Sequence, residues 1–328
     1  MLNLVQLVTV TQQGSGRNEI LYFNFVHECI IDKSFDKLTQ TATVILPKNL
    51  KYKDKNIYAG DNPLIKRGDK IKIECGYSPA IKTEFEGYIS RVSNNVPIEI
   101  HCEDAMYVLK QTICPNISNA TLNLDSISLD VLLKEMIGEL VPYKNISADL
   151  GIIRINQASI GVVLEKLRTE YGLYSYFVDG TLYVGLPFQS FQAEEIFLIE
   201  KQFIDNTLEY LRSDDIKVKV KGVLIVDGNK EEVEIGDSDG DLRTIYQYGG
   251  TKEELKRVCQ QYIDEYKYEG YRGVFTTFLA PSVNPGDRAK IASYLMPERN
   301  GVYRIRSVRK TFGVNGGRQE IELQTQIS

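Results

Sequence analysis

Cysteine is sparse and badly placed for chemistry: of the five, Cys29, Cys75, Cys102, Cys114 and Cys259, no two stand two or three residues apart. That spacing excludes a zinc knuckle, and an odd number in so long a chain argues against a disulfide framework. Cys29, Cys75 and Cys102 sit inside alternating apolar runs, where a cysteine serves as a small buried hydrophobe. Histidine is scarcer still: His27 and His101 are the only two, and a metal site would need them to meet across a sheet. There is no Gly-x-Ser-x-Gly elbow and no His-Glu-x-x-His run, so the familiar nucleophile and zinc-hydrolase patterns are absent. No basic residue precedes Arg17, as a secretory leader would require, and Met1 to Val10, with Asn3, Gln6 and Thr9, reads as a strand. No run of about 18 apolar residues occurs, which excludes a membrane-spanning helix. Neither sign of charge dominates: 39 basic against 44 acidic residues leave a net charge of -5, so the whole molecule has no attraction to nucleic acid or anionic lipid.

What is present is a globular composition, 43% hydrophobic and 25% charged over 328 residues, enough for two or three domains. The first third reads as short strands: Leu4 to Val10, Ile20 to Ile30, Thr41 to Leu46, Lys70 to Gly76, Glu84 to Val92 and Ile98 to Cys102. In Lys70-Ile71-Lys72-Ile73-Glu74-Cys75 the period of two puts Ile71, Ile73 and Cys75 on one face. Lys48 to Pro63 is polar and turn-rich, an excursion from that sheet. From Thr121 the period lengthens: Leu129, Leu132, Leu133, Met136, Ile137 and Leu140 make one helical stripe, and Ile160, Val163, Leu164 and Leu167 a second between Ser159 as N-cap and Gly172. Asp179-Gly180 then turns a hairpin, Tyr174 to Val178 with Thr181 to Leu186. Strands return beyond Pro187, starting with the strict alternation of Ile216 to Lys221 and a turn at Asp227-Gly228-Asn229. One helix follows Thr251, with its stripe on Leu255, Val258, Cys259, Tyr262, Ile263 and Tyr266, and Gly270 as its stop. The last strands are Gly273 to Leu279, Asp287 to Ser293, Val302 to Val308 and Arg318 to Gln324. The expected fold is mainly β with an α+β insert: a first β-barrel over 1–112, a small α/β domain over 113–190, and a second, related β-barrel with one helix over 191–328.

The relation between the ends is a weak internal repeat. Arg67-Gly68-Asp69-Lys70-Ile71-Lys72-Ile73 is followed by Gly87-Tyr88-Ile89-Ser90-Arg91-Val92 and Ile98-Glu99-Ile100. Pro285-Gly286-Asp287-Arg288-Ala289-Lys290-Ile291 is followed by Gly301-Val302-Tyr303-Arg304-Ile305-Arg306-Ser307-Val308 and Glu320-Ile321-Glu322-Leu323. Gly68, Asp69, Gly286 and Asp287 are accordingly structural turn candidates, since Gly supplies a permissive backbone and Asp bonds nearby amides.

Three other constellations invite chemistry. Gly236-Asp237-Ser238-Asp239-Gly240-Asp241 spaces three carboxylates as a calcium loop does, but Leu242 and Tyr248 replace the loop's glycine and bidentate glutamate, so a solvated turn is expected. Carboxylates are plentiful elsewhere, yet a glycosidase pair is defined by a separation across a cleft, which sequence does not supply. Arg299, Arg304, Arg306, Arg309, Lys310 and Arg318 lie near Tyr303 and Phe312, the mixture found on single-strand-binding barrels, and a nucleic-acid-binding barrel is the alternative function. Arg304 and Arg306 also alternate with Ile305 as the wet face of an ordinary strand, so Arg304, Arg306, Arg309 and Lys310 are expected to face outward as a partner-contact patch.

Ala280 to Asp287, Asn300 to Val308 and Gly316 to Leu323 resemble the last barrel strands of the baseplate hub proteins of contractile phage tails and related injection machines. That family includes the late-control gene D proteins and the amino-terminal part of valine-glycine-repeat spike proteins. Asp36 to Ala42 and Phe85 to Ile89 resemble its first barrel, and together the similarity spans about two thirds of the chain. The resemblance implies a non-enzymatic structural protein without cofactors, catalytic residues or metal. It implies a homotrimer that joins a sixfold tail tube protein to a threefold spike protein, and DNA or effector that passes through without specific binding. No glycine-valine repeat follows, so the spike is expected to be a separate chain. The implied location is the virion tail baseplate or a phage-like particle, including prophage remnants, after synthesis in the bacterial cytoplasm.

Overall fold

Each alternating run becomes a strand because only extended backbone places residues i and i+2 on one face. The computed structural model describes residues 3–47, 51–52, 55–56, 64–93, 96–178, 180–185, 193–226, 229–248 and 251–327. Most of the polar excursion over 48–63 and the turn residues Asp179, Asp227 and Gly228 lie outside them. One sheet holds thirteen strands. In chain order these are β1 (Leu4–Thr11), β2 (Ile20–Phe23), β3 (Glu28–Ser34), β4 (Thr41–Ile45), β5 (Lys70–Tyr77), β6 (Ala80–Val92) and β7 (Glu99–Glu103), then β8 (Glu194–Leu198), β9 (Asp205–Asn206), β10 (Val274–Thr277), β11 (Arg288–Ala292), β12 (Gly301–Gly313) and β13 (Gly316–Gln326). The run expected as a single strand from Ile20 to Ile30 is thus two, broken at residues 24–27.

Hydrogen bonding follows the path β2, β1, β5, β6, β7, β4, β3, β12, β13, β10, β9, and β12 also pairs with β11, which carries β8. The two ends of the chain therefore share one order. Reading across the first end gives β1, β5, β6, β7, β4, β3; reading across the second gives β8, β11, β12, β13, β10, β9, the same sequence of elements in the same chain order. Two differences remain: β2, paired with β1, has no counterpart among the described residues of the second end, and β1 is antiparallel to β5 whereas β8 is parallel to β11. The path has free ends at β2, β8 and β9 among the described residues, so hydrogen bonds do not draw the two closed barrels expected from the sequence. What they draw is continuous. Ser307–Gly313 of β12 pairs antiparallel with β3, and the two ends are halves of a single sheet.

Four apolar cores sit on this frame. The first joins Val8, Val10, Ile31, Val44, Ile73 and Ile100 with Leu279 and Phe312 from the far end of the chain. The second belongs to the insert and includes Met106, Leu132, Leu133, Leu164 and Val184. Its helices follow the expected stripes: Leu129–Ile137 buries Leu129, Leu132, Leu133, Met136 and Ile137, while Ile160–Tyr171 is capped by Ser159 and ends at left-handed Gly172. Leu140 lies beyond the first of these helices, which stops at Gly138, and is exposed. Against them lies a three-stranded sheet with Thr181–Gly185 between Tyr143–Asn145 and Tyr174–Val178. The third core, with Phe197, Phe275, Tyr303 and Ile321, underlies the second end.

The fourth core is an insertion between β9 and β10. Strand Val218–Val226 is flanked by Asn229–Gly236, antiparallel, and Asp241–Tyr248, parallel, and helix Lys252–Tyr266 packs on them behind a capping box of Thr251 and Glu254. Gly222 is the contact point: a Cβ there would meet Cys259 Sγ at 2.5 Å.

Candidate functional site

A turn that recurs at both ends is the first feature to test, because duplication and position coincide there. Gly68 and Gly286 have φ of 91° and 92°, a region costly for any residue with a Cβ. Their N–H groups donate to the carbonyls of Ile89 and Ile305, each at 2.8 Å. The Asp69 and Asp287 N–H groups donate to the carbonyls of Lys66 and Asn284, each at 3.2 Å. Both carboxylates turn back to accept the N–H of those same residues at 2.8 Å. The Ile89 and Ile305 N–H groups then donate to the Asp69 and Asp287 carbonyls. All four turn residues singled out from the sequence thus occupy matching places. Register shifts follow at Ile89/Arg91 and at Ile305/Ser307, so the strand after each turn is also bulged at the same point.

The two turns differ in charge. Asp69, fully buried, receives both guanidinium nitrogens of Arg17 at 2.8 Å. Among the described residues no guanidinium pairs with Asp287; burial raises its pKa, and the Asn284 N–H opposes that rise.

The seam between β3 and β12 holds the residues expected as an outward patch, and the structure corrects part of that reading. Lys310 is 1% exposed: its ammonium donates to Glu84 and, at 2.7 Å, to Ser282, whose hydroxyl donates to Glu84 at 2.6 Å. Burial alone would raise the Glu84 pKa, yet Lys310 and its hydrogen bonds hold it below the usual value. Beside this cluster Lys33 donates to Asn284 Oδ1 at 2.9 Å, and desolvation lowers its pKa to about 8. Arg306 and Arg309 are exposed, but they reach back across the seam to Asp36 and Asp32 at 2.6 and 3.4 Å. Arg304 is half-buried and stands opposite Arg288. The physical reason for the Lys310 misreading is parity. Positions 301, 303 and 305 are buried, then the bulge shifts the inward set to 308, 310 and 312.

The cationic residues that motivated the nucleic-acid alternative are largely engaged within the chain: Arg299 lies over the Tyr210 ring and Arg318 over Phe278, 5.0 and 4.5 Å from the centroids. Exposed basic groups without a carboxylate collect elsewhere, where sequence reading did not look. A cleft of about 560 Å³ is lined by Arg67, Ser90, Arg91, His101, Glu103, Tyr107, Lys110 and Gln111. Lys110 is paired with Glu103 at 2.7 Å, whereas Arg67 rests on Tyr107, and neither it nor Arg91 has an ion pair among the described residues. The signal was weak, since Arg67 and Arg91 are far apart in sequence and only the turn at Gly68 brings them together.

Neither histidine is brought to the other: His27 is exposed at a bend, and His101 lies in β7 with Thr43 and Glu99 beside it. The acidic loop at 236–241 crosses the end of strand Val218–Val226. Asp237 accepts the Val218 N–H and an ion pair from Lys267, and Asp239 pairs with Lys217. Gly236 has φ of 114°, and a Cβ at Gly240 would lie 2.6 Å from Val218 backbone atoms, so both glycines serve the crossing. Asp104, almost fully buried, accepts the N–H of Gln40 and of Met106 at the start of helix Met106–Gln111; burial pushes its pKa up to about 7.

No family model matches the sequence, and no curated protein matches it. Solved structures do match in fold. A tail protein from Neisseria meningitidis MC58 superposes with a TM-score of 0.65 at 14% identity, covering 98% of this chain and 96% of its own. The 43 kDa tail protein of prophage MuSo2 from Shewanella oneidensis gives 0.60 at 12% identity, covering 98% and 97%. A type VI secretion component of E. coli, described as structurally similar to the phage T4 tail proteins gp27 and gp5, gives 0.52 at 9% identity, covering 92% and 73%. The chain thus has the fold of phage tail proteins and of a secretion-system component, along almost its whole length.

Proposed function

We propose that this chain is a structural hub of a phage tail or phage-like injection apparatus, a trimer that adapts a sixfold tube to a threefold spike. The observation that carries the reading is the duplicated strand order with its duplicated Gly-Asp turn. A tube built on sixfold rings and a spike built on three chains meet at a joint that satisfies both symmetries. A chain with two related halves does so in one step. Three copies present six similar sheet halves to the tube and a true threefold axis to the spike. The turns and seam are held by side chains paired inside the chain, which suits a load-bearing joint rather than a catalyst. The likeness to tail proteins supports the same role, and the secretion-component fold extends it to injection machines in general. In this reading the two halves act as related barrels over 1–112 and 191–328, flanking the α/β unit over 113–190. The working location is a virion tail or phage-like particle.

Light scattering of the purified chain at its highest soluble concentration tests the proposal. The expected result is a closed species of three chains that does not grow further. A stable dimer, or a monomer at that concentration, overturns it.

A further inference from the structure

The dipeptide Asn-Gly occurs twice, at Asn300-Gly301 and at Asn315-Gly316. It is open to a reaction that needs only water. The main-chain nitrogen of the glycine, once its proton passes to water or hydroxide, attacks the asparagine Cγ; the Cγ–Nδ2 bond breaks, and ammonia leaves with a proton taken from water. Water then opens the five-membered imide at either carbonyl. Opening at Cγ leaves aspartate, and opening at the main-chain carbon leaves isoaspartate, whose backbone runs through the former side chain. Glycine favours the ring because it carries no side chain and its backbone turns freely. The two pairs are alike in sequence, and the structure separates them.

Asn300 is exposed but held. Its Oδ1 accepts the Ser293 N–H at 2.8 Å, and its own N–H donates to the Pro297 carbonyl. Gly301 is buried and begins β12 opposite Ile291, where a Cβ would meet the Tyr303 hydroxyl at 2.9 Å. To bring the Gly301 nitrogen onto Cγ, the chain has to leave the strand and give up the Ser293 bond. Asn315 has neither restraint. It lies with Val314 in the turn between β12 and β13, it and Gly316 are exposed, and its side chain has no hydrogen bond among the described residues. Gly316 has φ of 87°, and a Cβ there would have Arg318 Nη1 as its neighbour at 3.6 Å. The Arg318 guanidinium donates to the Gly317 carbonyl and rests on Phe278, with no ion pair among the described residues. A cation so placed favours loss of the Gly316 N–H proton and the negative charge that forms on the attacking nitrogen.

We infer that Asn315 is a self-modification site: with Gly316 as nucleophile and Arg318 beside it, the turn converts to aspartate and isoaspartate without an enzyme, while Asn300 stays intact in the folded chain. The product sets a carboxylate next to a guanidinium that lacks one among the described residues, so charge favours the change as well as the departure of ammonia. The isoaspartyl form also lengthens the main chain beside Val314, whose N–H donates to the His27 carbonyl at 3.1 Å where β3 meets β12. An old chain thereby differs from a new one, in charge and in backbone, at the tip of the hairpin whose first strand joins the two halves.

The test keeps the full chain folded at mildly alkaline pH and samples it over weeks, beside a portion held unfolded in guanidinium chloride. Peptide mapping by mass spectrometry follows amide loss at both asparagines, and enzymatic methylation of isoaspartyl carboxyls identifies the product. In denaturant the two sites are expected to convert at similar rates. In the folded chain Asn315 keeps a rate close to that value, whereas Asn300 is expected to be about tenfold slower or more, because a hydrogen bond and the start of a strand must open first. Arg318→Met keeps an apolar stem on Phe278 and is expected to slow Asn315 about fivefold, the effect of a unit charge about 4 Å away in water. Equal rates at the two asparagines of the folded chain, or an Asn315 that converts only in denaturant, overturn the assignment. An unchanged rate in a folded Arg318→Met chain overturns the part given to the guanidinium.

Discussion

A lysine ammonium in a buried site loses hydration that only close, well-aimed partners replace. Lys310 has two, Glu84 and Ser282, and Lys33 shares the same cluster from the other half of the chain. Removing one member leaves a charge stranded. Lys310→Met is therefore expected to destabilise the chain by about 3–5 kcal/mol, whereas Lys310→Met combined with Glu84→Gln costs much less than the sum of the single changes. Guanidinium unfolding of the two single variants and the double variant gives the coupling; additive losses would show that the pair is not the unit described. The same lysine marks a limit of sequence reading. Alternation in Arg304-Ile305-Arg306 was legible and correct for Ile305, but a bulge leaves no mark in residue type. Every position beyond it exchanges faces, and Lys310 goes in while Arg309 stays out.

Periodic elements were legible where their ends carried chemistry. Helix Ile160–Tyr171 was bounded by Ser159 and Gly172, and helix Lys252–Tyr266 began at Thr251, because caps satisfy amide groups that the helix itself cannot. Short elements held by distant partners were not legible. Strand β8 depends on β11, almost a hundred residues later, and helix Met106–Gln111 has too few turns to show a stripe. That helix leads to a prediction through Asp104. Its carboxyl titrates near 3.8 when free and at about 7 when folded, so between these values the folded chain holds a proton that the unfolded chain has released. The resulting stabilisation is complete below pH 3.8 and is lost as pH rises through about 7. Urea midpoints of wild type minus Asp104→Asn, measured from pH 4 to 8, should fall over that window. A difference that does not vary with pH would exclude Asp104 as the titrating group.

At the scale of the assembly, a channel that passes a polyanion is expected to avoid a basic wall, because phosphate contacts release counterions and hold the strand. In the proposed trimer, carboxylates should therefore outnumber Lys and Arg on the lumen, and Arg306 and Arg309, already paired with Asp36 and Asp32, are expected to lie away from it. A reconstruction of the assembled ring, scored residue by residue for wall charge, checks this. A lumen dominated by those arginines would favour gripping over sliding. The shared strand β12 has a further effect, on synthesis. Phe312 and Leu279 belong to the core that Val8, Ile31 and Val44 begin, so the earliest part of the chain emerges from the ribosome without the residues that complete it. Nascent domains generally fold in order of emergence, but this core is complete only once Phe312 has been made. A chain released early lacks the hairpin that finishes its own first half. A chain cut short of β12 thereby lacks the seam between its own halves, and in the proposed assembly it would present one sheet half where an intact copy presents two.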